Sequence, residues 1–340
     1  MKIAAKDHYV CPVSHDALSL EASEVTEEGD VIGGILATSF RKNTYTIRDG
    51  IADFSLSHCK PPEDIQQNKL FYEKTAEEYD RGMDWLFQSF SVDENHLRKK
   101  MIDLLELRPD ARVLEIGAGT CRDSREILQR LDVSGEFFIN DLSINMLTIG
   151  RKRLTRGTID YCKLPLVDFF VGDASDLPFP DNFFNAAYHF GGLNLFADKT
   201  KALHELSRVV KTGGKVVIGD ESVPPWLRNT TFGKILINSN SLYRYQVPLE
   251  CLPPNAQEVC VRWILGEAFY VIDFRVAEGL PFLNLDLPIP GKRGGTHRTR
   301  YYGALDGINP ETKEKMEHAA CKEGLSFHEW LERTVKAGLP

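Results

Sequence analysis

The sequence contains no CxxC pair, and its seven cysteines (11, 59, 121, 162, 251, 260 and 321) are scattered and odd in number. That excludes a disulfide framework and a closed zinc site, and it suits a reducing compartment. No uncharged apolar stretch approaches the roughly 20 residues that span a bilayer, so no membrane span is expected. Basic residues are in deficit, with Lys+Arg 41 against Asp+Glu 49 and a net charge of -8. The chain therefore has no global field for nucleic acid, although a local basic patch could supply one. "MKIAAKDHYVCPVSHD" carries charge without a continuous apolar run, so no secretory signal is read there and a cytoplasmic location is expected. Repeats and low-complexity tracts are also missing.

What remains is the composition of a soluble globular enzyme, 42% apolar and 26% charged over 340 residues, in one large domain or two unequal ones. Residues 1–57 read as a small β-rich unit, with "DVIGGILAT" and "TYTIRDGIADF" as strands, and 58–69 have linker composition. From 70 to 221 strands alternate with helices, the pattern of a parallel sheet covered on both faces. The strand candidates are "RVLEI" (112–116), "EFFIN" (136–140), "DFFVG" (168–172), "FNAAYHF" (184–190) and "GKVVIGD" (214–220). "DSREILQRL" and "KTKALHELSRVVK" read as helices. The second places Ala202, Leu203, Leu206, Val209 and Val210 on one face, with "TGG" as its stop. "EVCVRWILGEAFYVIDFRVAE" (258–278) predicts an antiparallel strand pair closing a domain over 70–279, interrupted by an aromatic-rich insertion at 222–257. Residues 280–340 read as a loop and helices, with Asn309 capping one helix and a Ser326–Glu329 capping box starting another.

"VLEIGAGTCRDS" (113–124) runs from a strand into a glycine turn. A dinucleotide fingerprint needs a third glycine where Arg122 stands, and Glu115 would repel a pyrophosphate. Further acids follow the other strands: Asp141, Asp173, and Asp220 with Glu221. Strand ends on one side of a parallel sheet form a ligand crevice. A crevice lined with acids and lacking a phosphate-binding lysine suits a ligand rich in donors, and S-adenosyl-L-methionine offers an amine, ribose hydroxyls, an adenine amino group and a sulfonium.

"VLEIGAGT", "INDLSINML", "VGDASDLPF" and "RVVKTGGKVVIGDE", in that order, resemble the class I S-adenosylmethionine-dependent methyltransferases, within them the ubiquinone/menaquinone-type superfamily. The resemblance spans roughly 70–221 and implies a Rossmann-like α/β sheet, mostly parallel with an antiparallel C-terminal pair. It implies that Glu115, Gly117, Ala118 and Gly119 approach the methionine part of the cofactor and that Asp141 holds the ribose hydroxyls. Asp173 would bind the adenine amino group beside Ala174, with Leu142 and Met146 packing on the base. "FYEKTAEEYD" is similar to the segment that closes over the cofactor, making Tyr72 and Tyr79 lid candidates. Cys121 stands where many members have a third glycine, and its small side chain is expected to point aside.

Methyl transfer from a sulfonium needs alignment first, and a base only where the acceptor must lose a proton. His189, in "YHFGGLNLF", is the candidate base, and it would also contact the cofactor. Its alternative is a structural histidine. Asn194 in the same loop could orient an acceptor. No "NPPY"-like motif of base methylation and no metal-ligand cluster is present.

Residues 9–54 resemble the small zinc-ribbon-like domain that activates some tRNA and protein methyltransferases, but Cys11 and His15 alone cannot close a tetrahedral site. A packing module without metal is expected. In "GKRGGTHRTRYYG" (291–303), Lys292, Arg293, His297, Arg298 and Arg300 form a basic loop that could clamp an anion; the alternative is a solvated surface. The sequence thus points to an enzyme methylating a polar or anionic small-molecule acceptor, enclosed by Trp226, Phe232, Tyr243, Tyr245 and the basic loop, chiefly Arg298 and Arg300. An RNA methyltransferase and a cofactor-binding protein without turnover are the rival readings.

Overall fold

The structure, a computed structural model, describes residues 1–55, 78–155, 164–302 and 308–339. Two compact units are present, Met1–Leu280 and Pro281–Pro340. The expected linker at 58–69 and Tyr72 lie outside the described residues.

The first unit is built on an eleven-stranded sheet, counted among the described residues. Its central strands are β5 (Arg112–Glu115), β6 (Glu136–Asp141), β7 (Leu166–Val171), β8 (Phe184–Phe190) and β9 (Val210–Glu221). They lie side by side in the order β7-β6-β5-β8-β9 and are all parallel. The hairpin β10 (Ala256–Ile264) and β11 (Phe269–Val276) completes one edge, β11 lying antiparallel against β9. Helices lie in three of the four connections between them, and residues 172–183 join β7 to β8 without one; with every neighbouring pair parallel, all five strand ends face one way.

Successive residues of each strand feed opposite faces. Leu114, Phe138, Phe170, Ala187 and Val216 join one core with Leu203, Leu206 and Val209 of helix α5 (Lys199–Val209). Val113, Phe137, Phe169, Ala186 and Val217 join the other, with Met101 and Ile102 of α2 (Glu94–Asp103), Ile127 of α3 (Ser124–Leu128), and Leu147 and Leu154 of α4 (Ile144–Thr155). Double burial explains why these strands read as unbroken apolar runs. Residues 78–89 are also helical and form α1.

Residues 1–57, expected as a unit of their own, contain strands β1 (Ser19–Val25), β2 (Val31–Ala37), β3 (Thr44–Arg48) and β4 (Ile51–Asp53). They continue the same sheet, because Ala52 and Asp53 of β4 pair in parallel with Phe170 and Val171 of β7. Tyr9 packs among Phe54, Phe138, Phe170 and Phe179, and its hydroxyl donates to Asp168 at 2.7 Å. Cys11 is buried with its Sγ 3.1 Å from the Tyr45 hydroxyl, while His15 is exposed. Cys11 is thus a core residue, and no group of three or more His, Cys, Asp or Glu able to hold a metal occurs among the described residues.

One punctuation signal read wrongly. Helix α5 ends at Val209, before "TGG", and Val210 is already extended and paired with Phe184. A Cβ on Gly214 would lie 2.6 Å from the Asn185 carbonyl oxygen, so that glycine serves the close approach of two strands and ends no helix.

Helix α6 (Thr231–Ser239) lies in the 222–257 insertion, and the second unit contains α7 (His297–Tyr302), α8 (Pro310–Lys322) and α9 (Phe327–Gly338). Asn309 caps α8, and the Ser326–Glu329 box starts α9 as expected. No helix among the described residues is long and apolar enough to cross a membrane.

Candidate active site

The strand ends and the loops after them enclose one cavity. It is lined by Glu115, Gly117, Ala118, Gly119, Asp141, Leu142, Met146, Asp173, Ala174, His189 and Glu221, with Tyr79 from α1. A single space therefore gathers every described residue assigned to the cofactor. Carboxyls reach it from the ends of β5, β6 and β9 and from the loop after β7. Apolar side chains reach it from α1 (Met83, Leu86), from the end of β8 and its loop (Phe190, Leu195, Phe196), from Leu242 and Phe269, and from Leu142 and Met146 past β6.

The glycine turn is held by several hydrogen bonds. Gly117 and Gly119 adopt φ of 60° and 54°. A Cβ on Gly117 would sit 2.9 Å from the His189 ring, so glycine is required on both counts. Asp141 accepts from the backbone N–H of Gly119 and of Ser143, each at 2.8 Å. Each carboxylate oxygen retains a lone pair, so the group can still take ligand hydroxyls. Burial raises its pKa above the usual carboxylate value, opposed by those N–H groups. Asp173 accepts from Ser175 N–H at 2.8 Å.

Glu115 is buried, and it accepts from the Ser124 hydroxyl at 2.5 Å. Burial pushes its carboxyl well above the ordinary range. A buried carboxyl of this kind is stabilised by a cationic ligand group.

His189 is buried, and its Nδ1 lies 2.8 Å from the Ile116 carbonyl oxygen, which can only accept. The Nδ1–H tautomer follows, and Nε2 has no partner. Burial lowers the pKa, so the ring is held neutral with a lone pair on Nε2. Its structural bond and its free basic atom coexist. Asn194 donates from its side chain to the Glu221 carbonyl at 2.9 Å, and its own N–H donates to Asp220. It is not part of the cavity wall.

Local sequence reading missed the buttress of this site. Arg122, where a dinucleotide loop would need glycine, pairs with Asp80 and Asp84 of α1 and with Glu94 of α2. Arg153 of α4 also pairs with Asp80. These bonds hold α1 against the turn, and burial pushes the Tyr79 hydroxyl on that helix up to about 12.

The assigned acceptor residues fall in both units. Tyr243 is buried with its ring 5.9 Å from Phe269, in an apolar cluster beside the cavity wall. Trp226, Phe232 and Tyr245 are exposed. Within the second unit Arg298 pairs with Asp286 at 2.9 Å, and Arg300 donates to the Gly294 carbonyl at 3.0 Å. Lys292, Arg293 and His297 are exposed.

Residues 63–247 match the ubiE/COQ5 methyltransferase family. The chain belongs to that family. It is 31% identical over 209 residues to the ubiquinone/menaquinone biosynthesis C-methyltransferase UbiE of Bordetella avium, covering 54% of this chain and 73% of that one. The enzyme of the same name from Chromobacterium violaceum is 32% identical over 185 residues, covering 51% and 72%. Among solved structures, phosphoethanolamine N-methyltransferase 2 of Haemonchus contortus in complex with S-adenosyl-L-methionine is 14% identical, with a TM-score of 0.48 over 66% of this chain and 61% of that one.

This methyltransferase uses S-adenosylmethionine, and the residues present fit it. Three carboxyl groups at neighbouring strand ends suit a molecule that carries an ammonium, two ribose hydroxyls and an adenine amino group. When bound, the cofactor supplies an electrophilic methyl group on a cationic sulfur. Glu115 would face its amine, Asp141 its ribose and Asp173 its adenine.

Proposed function

We propose that this methyltransferase transfers a methyl group to a carbon atom of a small, largely apolar acceptor bearing an ionisable hydroxyl. The observation that carries this reading is the pairing, in one cavity, of an apolar wall with a buried basic atom that has no partner, Nε2 of His189. Apolar acceptors gain about 25 cal/mol per Å² buried on such a wall. A carbon acceptor must shed its hydrogen as a proton, and the neutral imidazole of His189 in the cavity wall can take it. Orientation by Phe190, Phe196 and Phe269 supplies the alignment. The relatives named as C-methyltransferases of ubiquinone/menaquinone biosynthesis are in keeping with such an acceptor. Arg298 is already neutralised by Asp286, so we read the acceptor from the cavity walls and not from the basic loop. The N-terminal strands we read as a packing module that extends the sheet.

The test uses 2-naphthol, an apolar ring whose C1 is nucleophilic when its hydroxyl ionises, together with carbon-13 methyl-labelled cofactor. Magnetic resonance of the product should show a methyl on carbon, and His189→Gln should lower the rate at saturating cofactor at least tenfold. A methoxy product, or label found only on amine acceptors offered in parallel, would rule the reading out.

A further inference from the structure

Asp173, Asp141, Glu115, His189 and Glu221 stand at or just past the ends of five strands that are neighbours in the order β7-β6-β5-β8-β9. Adjacent strands are about 4.8 Å apart, so this row extends over roughly 19 Å. The first three match the adenine, ribose and amine of the cofactor, and His189 follows. Glu221 stands at the far end of the row, and no group of the cofactor is assigned to it.

Its surroundings differ from those of the other acids. Asp220, its neighbour on β9, is fully buried and spent on backbone, accepting from the N–H groups of Gly192, Asn194 and Glu221 itself. Glu221 lines the cavity, with its carboxyl against that of Asp220. Its Oε2 is buried without a hydrogen-bond partner, and no ion pair involves it among the described residues. The titratable groups acting on it or on which it acts are Asp220 on β9, Tyr270 on β11, Tyr243 and Tyr79 of α1. None of these is a cation.

We propose that Glu221 is the catalytic base for the acceptor's hydroxyl. The acceptor's O–H bond breaks, its electron pair stays on the acceptor oxygen, and the proton forms an O–H bond with the Glu221 carboxylate. The resulting oxyanion makes the adjacent carbon nucleophilic, while His189 remains free for the carbon's own proton. Burial first, and Asp220 second, raise the Glu221 pKa well above the usual value, which brings its basicity toward that of a phenolic hydroxyl. This role rests on the acceptor class proposed above.

The test needs no turnover. Protein saturated with S-adenosylhomocysteine is titrated with 2-naphthol at neutral pH, and the ultraviolet spectrum of the bound probe separates naphthol from naphtholate. The wild-type protein should show bound naphtholate far below the pH at which the free probe ionises. Glu221→Gln should bind S-adenosylhomocysteine with unchanged affinity by calorimetry, yet show at least tenfold less naphtholate. Glu221→Asp, a second variant, should restore part of the signal. Equal ionisation in wild type and Glu221→Gln would overturn the role of Glu221 while leaving the acceptor class standing. Failure of the wild-type protein to bind the probe would overturn both.

Discussion

Asp141→Ala is expected to weaken S-adenosylmethionine binding on the order of a hundredfold, because two hydrogen bonds to a charged group are lost at about 1.5 kcal/mol or more each. The same carboxylate also ties down the N–H groups of Gly119 and Ser143. Removing it frees the turn that the methionine part would rest on, so the loss adds to that of the ribose contacts. Asp141→Asn keeps one acceptor oxygen and should lose less. Acid should mimic the substitution. With its pKa raised by burial, Asp141 is protonated earlier than an ordinary aspartate as pH falls, and affinity should fall with it. Calorimetry across a pH series measures both effects; unchanged affinity in Asp141→Ala would remove the residue from the site.

The second large effect concerns stability. Cys121 has φ of 59°, a left-handed conformation that explains why glycine suits this position. The cysteine is accommodated from the other side of the contact. A Cβ on Gly150 of α4 would lie 2.3 Å from the Cys121 sulfur, so the missing side chain of one residue makes room for the other. Gly150→Ala should therefore destabilise the protein by about 2 kcal/mol, the overpacking cost exceeding the roughly 1 kcal/mol that alanine gains in a helix. Gly150→Ala combined with Cys121→Gly should recover most of that loss, a coupling of about 2 kcal/mol. Urea unfolding of the four proteins reads it directly, and additive effects would mean the two sites do not compete for space. The thiol is buried and its pKa is raised by desolvation, so chemical modification should not reach it in the folded protein.

The strand-end acids and their order were legible because a parallel sheet sends every strand's carboxyl end to one side, and the apolar runs of β5 to β9 mark such strands plainly. Other features depended on partners distant in sequence. Arg122 looked like a missing glycine until its three carboxylates, from α1 and α2, were in place. "DE" at 220–221 offered two acids, and only the folded backbone shows that Asp220 takes the N–H groups of a loop while Glu221 lines the cavity. Gly150 carries no signal within its own helix; its reason is Cys121, from another segment. The merger of β1–β4 with the main sheet turns on a two-residue pairing between β4 and β7, too short for any periodicity to announce. "TGG" misled because a glycine pair that stops a helix and one that lets strands approach look the same in sequence.

The most direct test of the whole account is to incubate the protein with methyl-labelled S-adenosylmethionine and a fractionated cell extract, then follow the label. Label is expected in the organic-soluble small-molecule fraction, stable to base and acid as a carbon-bound methyl should be, and strongly reduced in Asp141→Ala at limiting cofactor. Label in RNA or protein, or none in any fraction despite measured cofactor binding, would contradict it.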